Sequence, residues 1–164
     1  MIIIFQCYGG THTSVAAASI YLKRLPRRRV PQLSDLLALP YFDRVDRNEI
    51  GTLYYVGCDR SDNPVFVLGS GRWGAQIRAL LTRLTSMQQQ GRTFLLHNDR
   101  DDGVAVIDCF PTITGAVRLG GFLSRRLGLI AIGRPLVGLG ILRAYHRFVE
   151  LVESFEKDPG PYLL

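Results

Sequence analysis

Ile2-Ile3-Ile4-Phe5 runs into Gln6-Cys7-Tyr8-Gly9-Gly10-Thr11-His12-Thr13-Ser14, and Val15-Ala16-Ala17-Ala18-Ser19-Ile20-Tyr21-Leu22 follows without a break. The unbroken apolar run, three β-branched residues and a ring, predicts a strand buried on both faces. The alanine-rich segment predicts a helix. Between them, Gly9 and Gly10 allow the backbone to turn tightly with its N–H groups inward, and Thr and Ser add hydroxyls at the helix start. The helix N-terminus brings partial positive charge to the same place. This strand–loop–helix predicts a cradle for phosphate or another anion, built from Gly9, Gly10, Thr11, Thr13 and Ser14.

Outward from that loop, Lys23 to Pro31 is a basic connection with two prolines, read first as a solvated loop and second as a polyanion contact. Gln32 to Leu39 predicts a short helix stopped by Pro40, and Tyr41-Phe42-Asp43 should pack its two rings on the body. Thr52 to Gly57 and Pro64 to Leu68 predict a β-hairpin around the turn residues Asp59 to Asn63. A second glycine loop, Gly69-Ser70-Gly71-Arg72-Trp73-Gly74, opens a helix from Ala75 to Met87, with Ile77, Leu80, Leu81 and Leu84 at helical spacing. Thr93 to His97 reads as a strand, Asn98 to Gly103 as a polar turn, and Val104 to Ile107 as an apolar strand ending in Asp108-Cys109. Pro111 to Leu127 predicts a helix and Leu129 to Ile132 a strand closed by Gly133-Arg134-Pro135. The last helix, Val137 to Phe155, should bury Leu139, Leu142, Phe148, Val149 and Val152. Strands alternating with helices predict an α/β fold: one three-layer domain over residues 1–164, its sheet mostly parallel, helices on both faces, one β-hairpin, and the first strand inside the sheet.

The chain has 164 residues, enough for one proper core, and its 47% hydrophobic and 21% charged residues are those of a globular protein. Its net charge of +6 comes almost wholly from arginine, which binds phosphate oxygens in pairs. Three cysteines without framework spacing argue for a reducing compartment and against a disulfide scaffold. Gln6, the glycines and His12 interrupt the first apolar run, so it is not read as a signal peptide, and no stretch is apolar enough to span a membrane. The expected location is the cytoplasm.

Cys7 to Ser14, Ala38 to Asp43, Gly120 to Leu129 and Gly133 to Leu136 together resemble a domain family of unknown function from spore-forming Gram-positive bacteria. That resemblance implies a bacterial cytoplasmic protein with a link to sporulation, and brings no activity. The first loop is similar to nucleotide phosphate loops of the Gly-Gly-x-Gly-Lys-Thr kind, but His12 replaces the third glycine and Thr13 the lysine. That likeness puts Ser14 at the hydroxyl position that touches magnesium beside a nucleotide, and Asp108 at the strand-end acid that positions the metal. Cys7 before a glycine loop resembles cysteine phosphatases, yet Thr13 stands where those need arginine. Gly69 to Gly74 fits G-x-G-x-x-G, the dinucleotide pattern, as a further alternative.

Ligands of parallel sheets sit beyond the carboxyl ends of the strands. That rule gathers Cys7 to Ser14, Gly69 to Gly74, His97 to Asp99, Asp108-Cys109 and Gly133-Arg134 at one edge, and leaves Cys58 at the other. His12 and Asp108 are the candidate catalytic residues, His12 as a general base. Arg134, following a strand, should supply the charge that Thr13 lacks. No metal site is expected from spacing alone. The expected function is binding of a phosphate-containing small molecule or nucleotide, with phosphotransfer or hydrolysis as the reaction class. The alternative is a non-catalytic interaction or assembly protein that keeps the turn for its shape. Nucleic acid is the less favoured partner, self-association is left open, and a membrane is not expected.

Overall fold

A computed structural model describes residues 1–43, 49–89, 103–110 and 130–164. The first strand, β1 (Ile2–Cys7), leads to helix α1 (Thr13–Tyr21) and a short α2 (Leu33–Leu37). The hairpin strands β2 (Leu53–Cys58) and β3 (Pro64–Gly69) precede α3 (Gly74–Gln89) and β4 (Val104–Asp108). Two helices, α4 (Ile130–Arg143) and α5 (Tyr145–Lys157), and a 3-10 turn, Gly160–Tyr162, finish the chain.

The sheet order is β2-β3-β1-β4. β1 is parallel to both β3 and β4, and β2 is antiparallel to β3. An α/β fold with a mixed, mostly parallel sheet and one hairpin therefore stands, with the first strand inside it. The apolar run explains that place. Ile3, Phe5 and Cys7 join a cluster with Val15, Ile20, Phe148 and Phe155, whereas Ile4 joins Leu68 and Val106, against which Ile77 and Leu81 of α3 pack. Alternate side chains thus meet apolar partners on opposite faces.

The C-terminal part departs from expectation. Leu129 to Ile132 was expected as a strand, but Ile130 to Ile132 begin α4, and Pro135 lies inside that helix rather than closing a strand. A four-residue apolar run carries no period of its own, and here the helical stretch after it extends backward through it. The single helix expected from Val137 to Phe155 is two, separated at Ala144, whose φ of −103° and ψ of 14° leave the helical range. The break shifts the buried face: Val137 and Ile141 are buried in α4, while Leu139, expected in the core, is 44% exposed. Phe148, Val149 and Val152 are buried as expected. Leu80 of α3 is likewise exposed. The strand at Thr93–His97 and the helix at Pro111–Leu127 lie outside the described residues.

Candidate functional site

The strand register fixes one edge. Cys7 pairs with Gly69 and Gln6 with Asp108, so β1, β3 and β4 all end together. Cys58 pairs with Pro64, at the start of β3 and the opposite edge. The chain reaches β3 on one side of β1 and later β4 on the other, so the order reverses at β1, directly under the first glycine loop.

The loop is folded around the Cys7 sulfur. Gly10 turns with a φ of +67° and donates its N–H to Cys7 Sγ at 3.1 Å, and Ser14 Oγ lies 3.2 Å from the same sulfur. Ser70 and Gly71 N–H donate to the carbonyls of Cys7 and Tyr8 at 2.9 and 2.8 Å, which ties the two glycine loops together. That tie needs glycine on both sides. A Cβ on Gly10 would lie 2.8 Å from Gly69 Cα and closer still to its nitrogen, and one on Gly69 would lie 2.9 Å from the Gly9 carbonyl.

The loop's outer half is clamped by the turn after α2. Thr11 Oγ1 donates to the Tyr41 carbonyl at 2.8 Å, and Asp43 N–H donates to the Thr11 carbonyl at 3.1 Å. His12 Nε2 stands 2.9 Å from Asp43 Oδ1, with both side chains buried, and the His12 ring meets Phe42 edge-on at 5.3 Å. Tyr41 and Asp43 adopt φ of +64° and +56° to make this turn, a conformation that non-glycine residues enter at a cost of about 1–2 kcal/mol. Asp43 is the functional candidate that the sequence reading passed over. The run from Ala38 to Asp43 was distinctive, but nothing local in it points to a histidine 31 residues earlier.

The proposed phosphate ligands divide. Gly10, Thr11, Thr13 and Ser14 are buried and Gly9 is half-buried. Ser14 is engaged by Cys7. Thr13 Oγ1 is buried with no hydrogen-bond partner, and so is Gln6 Oε1 on β1. His12, the residue before α1, makes no side-chain cap to the helix. Asp108 is exposed at the end of β4, its carboxylate accepting the Phe110 N–H at 2.9 Å. Beside it, Cys109 is fully buried. Burial pushes its thiol well above the usual range, and the neighbouring charges of Cys7 and Asp108 add to the effect. Arg134 lies within α4 rather than after a strand, and its side chain falls outside the described residues, as do His97 and Asp99. Among the described residues no group of three His, Cys, Asp or Glu side chains is placed to hold a metal ion.

A family model described as "Protein of unknown function (DUF3189)" matches residues 2–157. The chain belongs to the DUF3189 family. No curated protein and no solved structure matches it. For a DUF3189 chain the glycine-loop edge is thus defined by its own geometry. The described part of this DUF3189 fold has no helix long and apolar enough to cross a membrane.

Proposed function

We propose that the chain binds a phosphate-containing small molecule or nucleotide at the carboxyl edge of the sheet, in a phosphate-loop-like β1–loop–α1 of a three-layer domain. Phosphotransfer or hydrolysis is the reaction class, with His12 as general base and Asp43 orienting its ring. The observation that carries this reading is Thr13. Its hydroxyl is buried without a partner in the first turn of α1, beneath the point where the strand order reverses. Such an orphan costs about 1–3 kcal/mol, and a ligand oxygen would satisfy it together with the first N–H groups of the helix. Tyr8 and Phe110 meet edge-on at 6.2 Å at the same edge, are both exposed, and offer rings against which a base could stack. Arg134 remains our candidate for the neutralising charge. Asp108 remains the strand-end acid.

A second reading is favoured by the fit of Gly10 against Gly69: the glycines serve packing between loops with or without a ligand. On that reading the protein is a non-catalytic interaction or assembly module, with self-association among its modes. The dinucleotide alternative is weaker, because Ser70 and Gly71 already spend their N–H groups on Cys7 and Tyr8. We place the protein in the cytoplasm of a spore-forming Gram-positive bacterium, with a role near sporulation, on the sequence resemblance alone. Spore yield of a deletion strain tests that placement.

The experiment for binding is a thermal-shift panel of nucleotides, phosphate esters and inorganic phosphate on wild type and Thr13→Val. A ligand that binds only the native state raises the melting temperature. Valine keeps the shape and removes the orphan, so the free variant should melt higher than wild type while losing the ligand's shift. No shift with any compound, or equal shifts in both proteins, sinks the reading.

A further inference from the structure

The opposite, amino edge of the sheet holds a cavity of about 430 Å³ between the end of α1, the β2–β3 turn and α5. We propose that it is a second site, for a small multiply charged oxyanion, gripped by Lys23 and Arg60. This site does not depend on the glycine loop.

Its walls are set before any ligand arrives. Asp59 holds the turn: its Oδ1 accepts the N–H groups of Ser61 and Asn63 at 2.8 and 2.9 Å, and its Oδ2 accepts Asn63 Nδ2 at 2.9 Å and Tyr21 Oη at 2.6 Å. Glu156 is forked by Arg27, with the second bond at 2.6 Å. Both carboxylates on the cavity wall therefore have their partners. No ion pair of Lys23 or Arg60 occurs among the described residues. Arg24 stands alongside, its Nη2 donating to the Val56 carbonyl. The wall itself carries two cations, Lys23 and Arg60, and two carboxylates, Asp59 and Glu156, and because both carboxylates are already engaged the two cations are the groups left to meet a ligand.

Lys23 is the informative residue. It sits just past α1 with a φ of +59°, the position that closes a helix and that glycine fills without strain. Its N–H and that of Arg24 cap the carbonyls of Ile20 and Ser19 at 3.1 and 2.8 Å, so the negative end of the helix is already satisfied. The fold alone would be served as well or better by glycine there. A lysine held in that conformation, with its side chain on a cavity wall, has a use in the ligand rather than in the turn.

The test is calorimetric titration at constant ionic strength with pyrophosphate and, separately, citrate, on wild type, Lys23→Gly, Arg60→Ala and the remote control Arg83→Ala. Wild type and control should bind at least one probe saturably, and the pair of probes tells a phosphate-bearing ligand from a polycarboxylate. Lys23→Gly and Arg60→Ala should each bind about tenfold more weakly or worse, from loss of one charge-assisted contact. Lys23→Gly should melt no lower than wild type, which separates lost binding from lost folding. Binding of neither probe by wild type, or unchanged affinity in both variants, overturns the proposal. Thr13→Val leaves this site untouched, so a shift that survives Thr13→Val but not Lys23→Gly belongs here and not to the glycine loop.

Discussion

Gly10→Ala and Gly71→Ala form a matched pair whose difference measures how the two loops fit. Both positions have positive φ, +67° and +55°, so both alanines carry the left-handed penalty of about 1–2 kcal/mol. Only Gly10 adds a collision. Its Cβ would come within 2.9 Å of Leu68 C and 2.8 Å of Gly69 Cα, all backbone, inside a sheet that cannot yield locally. A Cβ on Gly71 meets only the end of the Ile50 side chain, at 3.4 Å, where ordinary contact is made. Overpacking of the first kind costs about 1–3 kcal/mol more. Gly10→Ala should therefore lose about 2–5 kcal/mol and Gly71→Ala about 1–2 kcal/mol. Urea unfolding followed by circular dichroism, with the slope of the transition held common, gives both values. If the two variants are equally destabilised, the close approach of Gly10 to Gly69 is not what the glycine is for, and the packing account of the loop fails.

Asp43→Ala removes the partner of a buried imidazole and should cost about 1–3 kcal/mol, with Asp43→Asn recovering part of it; thermal melts of the two variants rank them. Phe155→Ala should cost about 3–5 kcal/mol in urea unfolding, since its ring packs against Phe5, Tyr21 and Tyr162 together. Burial raises the hydroxyl pKa of Tyr21, with its hydrogen bond to Asp59 adding to the rise, and burial pushes that of Tyr145 up to about 12. Groups that hold their protons more tightly when folded contribute fully below the unfolded value of 10, and that contribution is lost as pH rises through the folded values. Stability should thus fall above pH 10, less steeply in Tyr21→Phe and Tyr145→Phe; pH-dependent melts with parallel slopes in all three proteins would refute the assignment.

What the sequence discloses here is what a short window can hold. β1, the glycine turn and α1 are contiguous, and each is dictated by its own residues: an apolar run, a φ that favours glycine, an alanine-rich helix. The hairpin is legible for the same reason, since Asp59 organises the turn through Ser61 and Asn63, two and four residues away. The rule of strand ends then places Cys7, Gly69 and Asp108 at one edge and Cys58 at the other without any view of the fold. Leu129 to Ile132 is different. An apolar tetrad between glycines has no period, and the continuation of helix through Pro135 is not written in it. Leu139 fails because its phase was counted through Ala144, where the helix stops.

The purpose of a residue is less legible than its conformation, and the two edges show why. Gly9-Gly10 looks like an anion loop because glycine is what a backbone needs to approach a phosphate; it is equally what a backbone needs to approach another backbone, and Gly69 is there to be approached. The residues that separate these causes are the ones that break the local pattern. Thr13 keeps a hydroxyl where burial without a partner penalises it, and Lys23 keeps a long side chain where the backbone favours none. A chain selected for stability alone would place valine at the first and glycine at the second. Each departure therefore predicts the same sign of result: the substitution that the fold prefers should raise the melting temperature, and if the residue serves a ligand, the gain in stability should come with a loss of binding at that edge and not at the other. Thr13→Val and Lys23→Gly, melted and titrated side by side, decide whether the two edges are two sites, one site or only two turns.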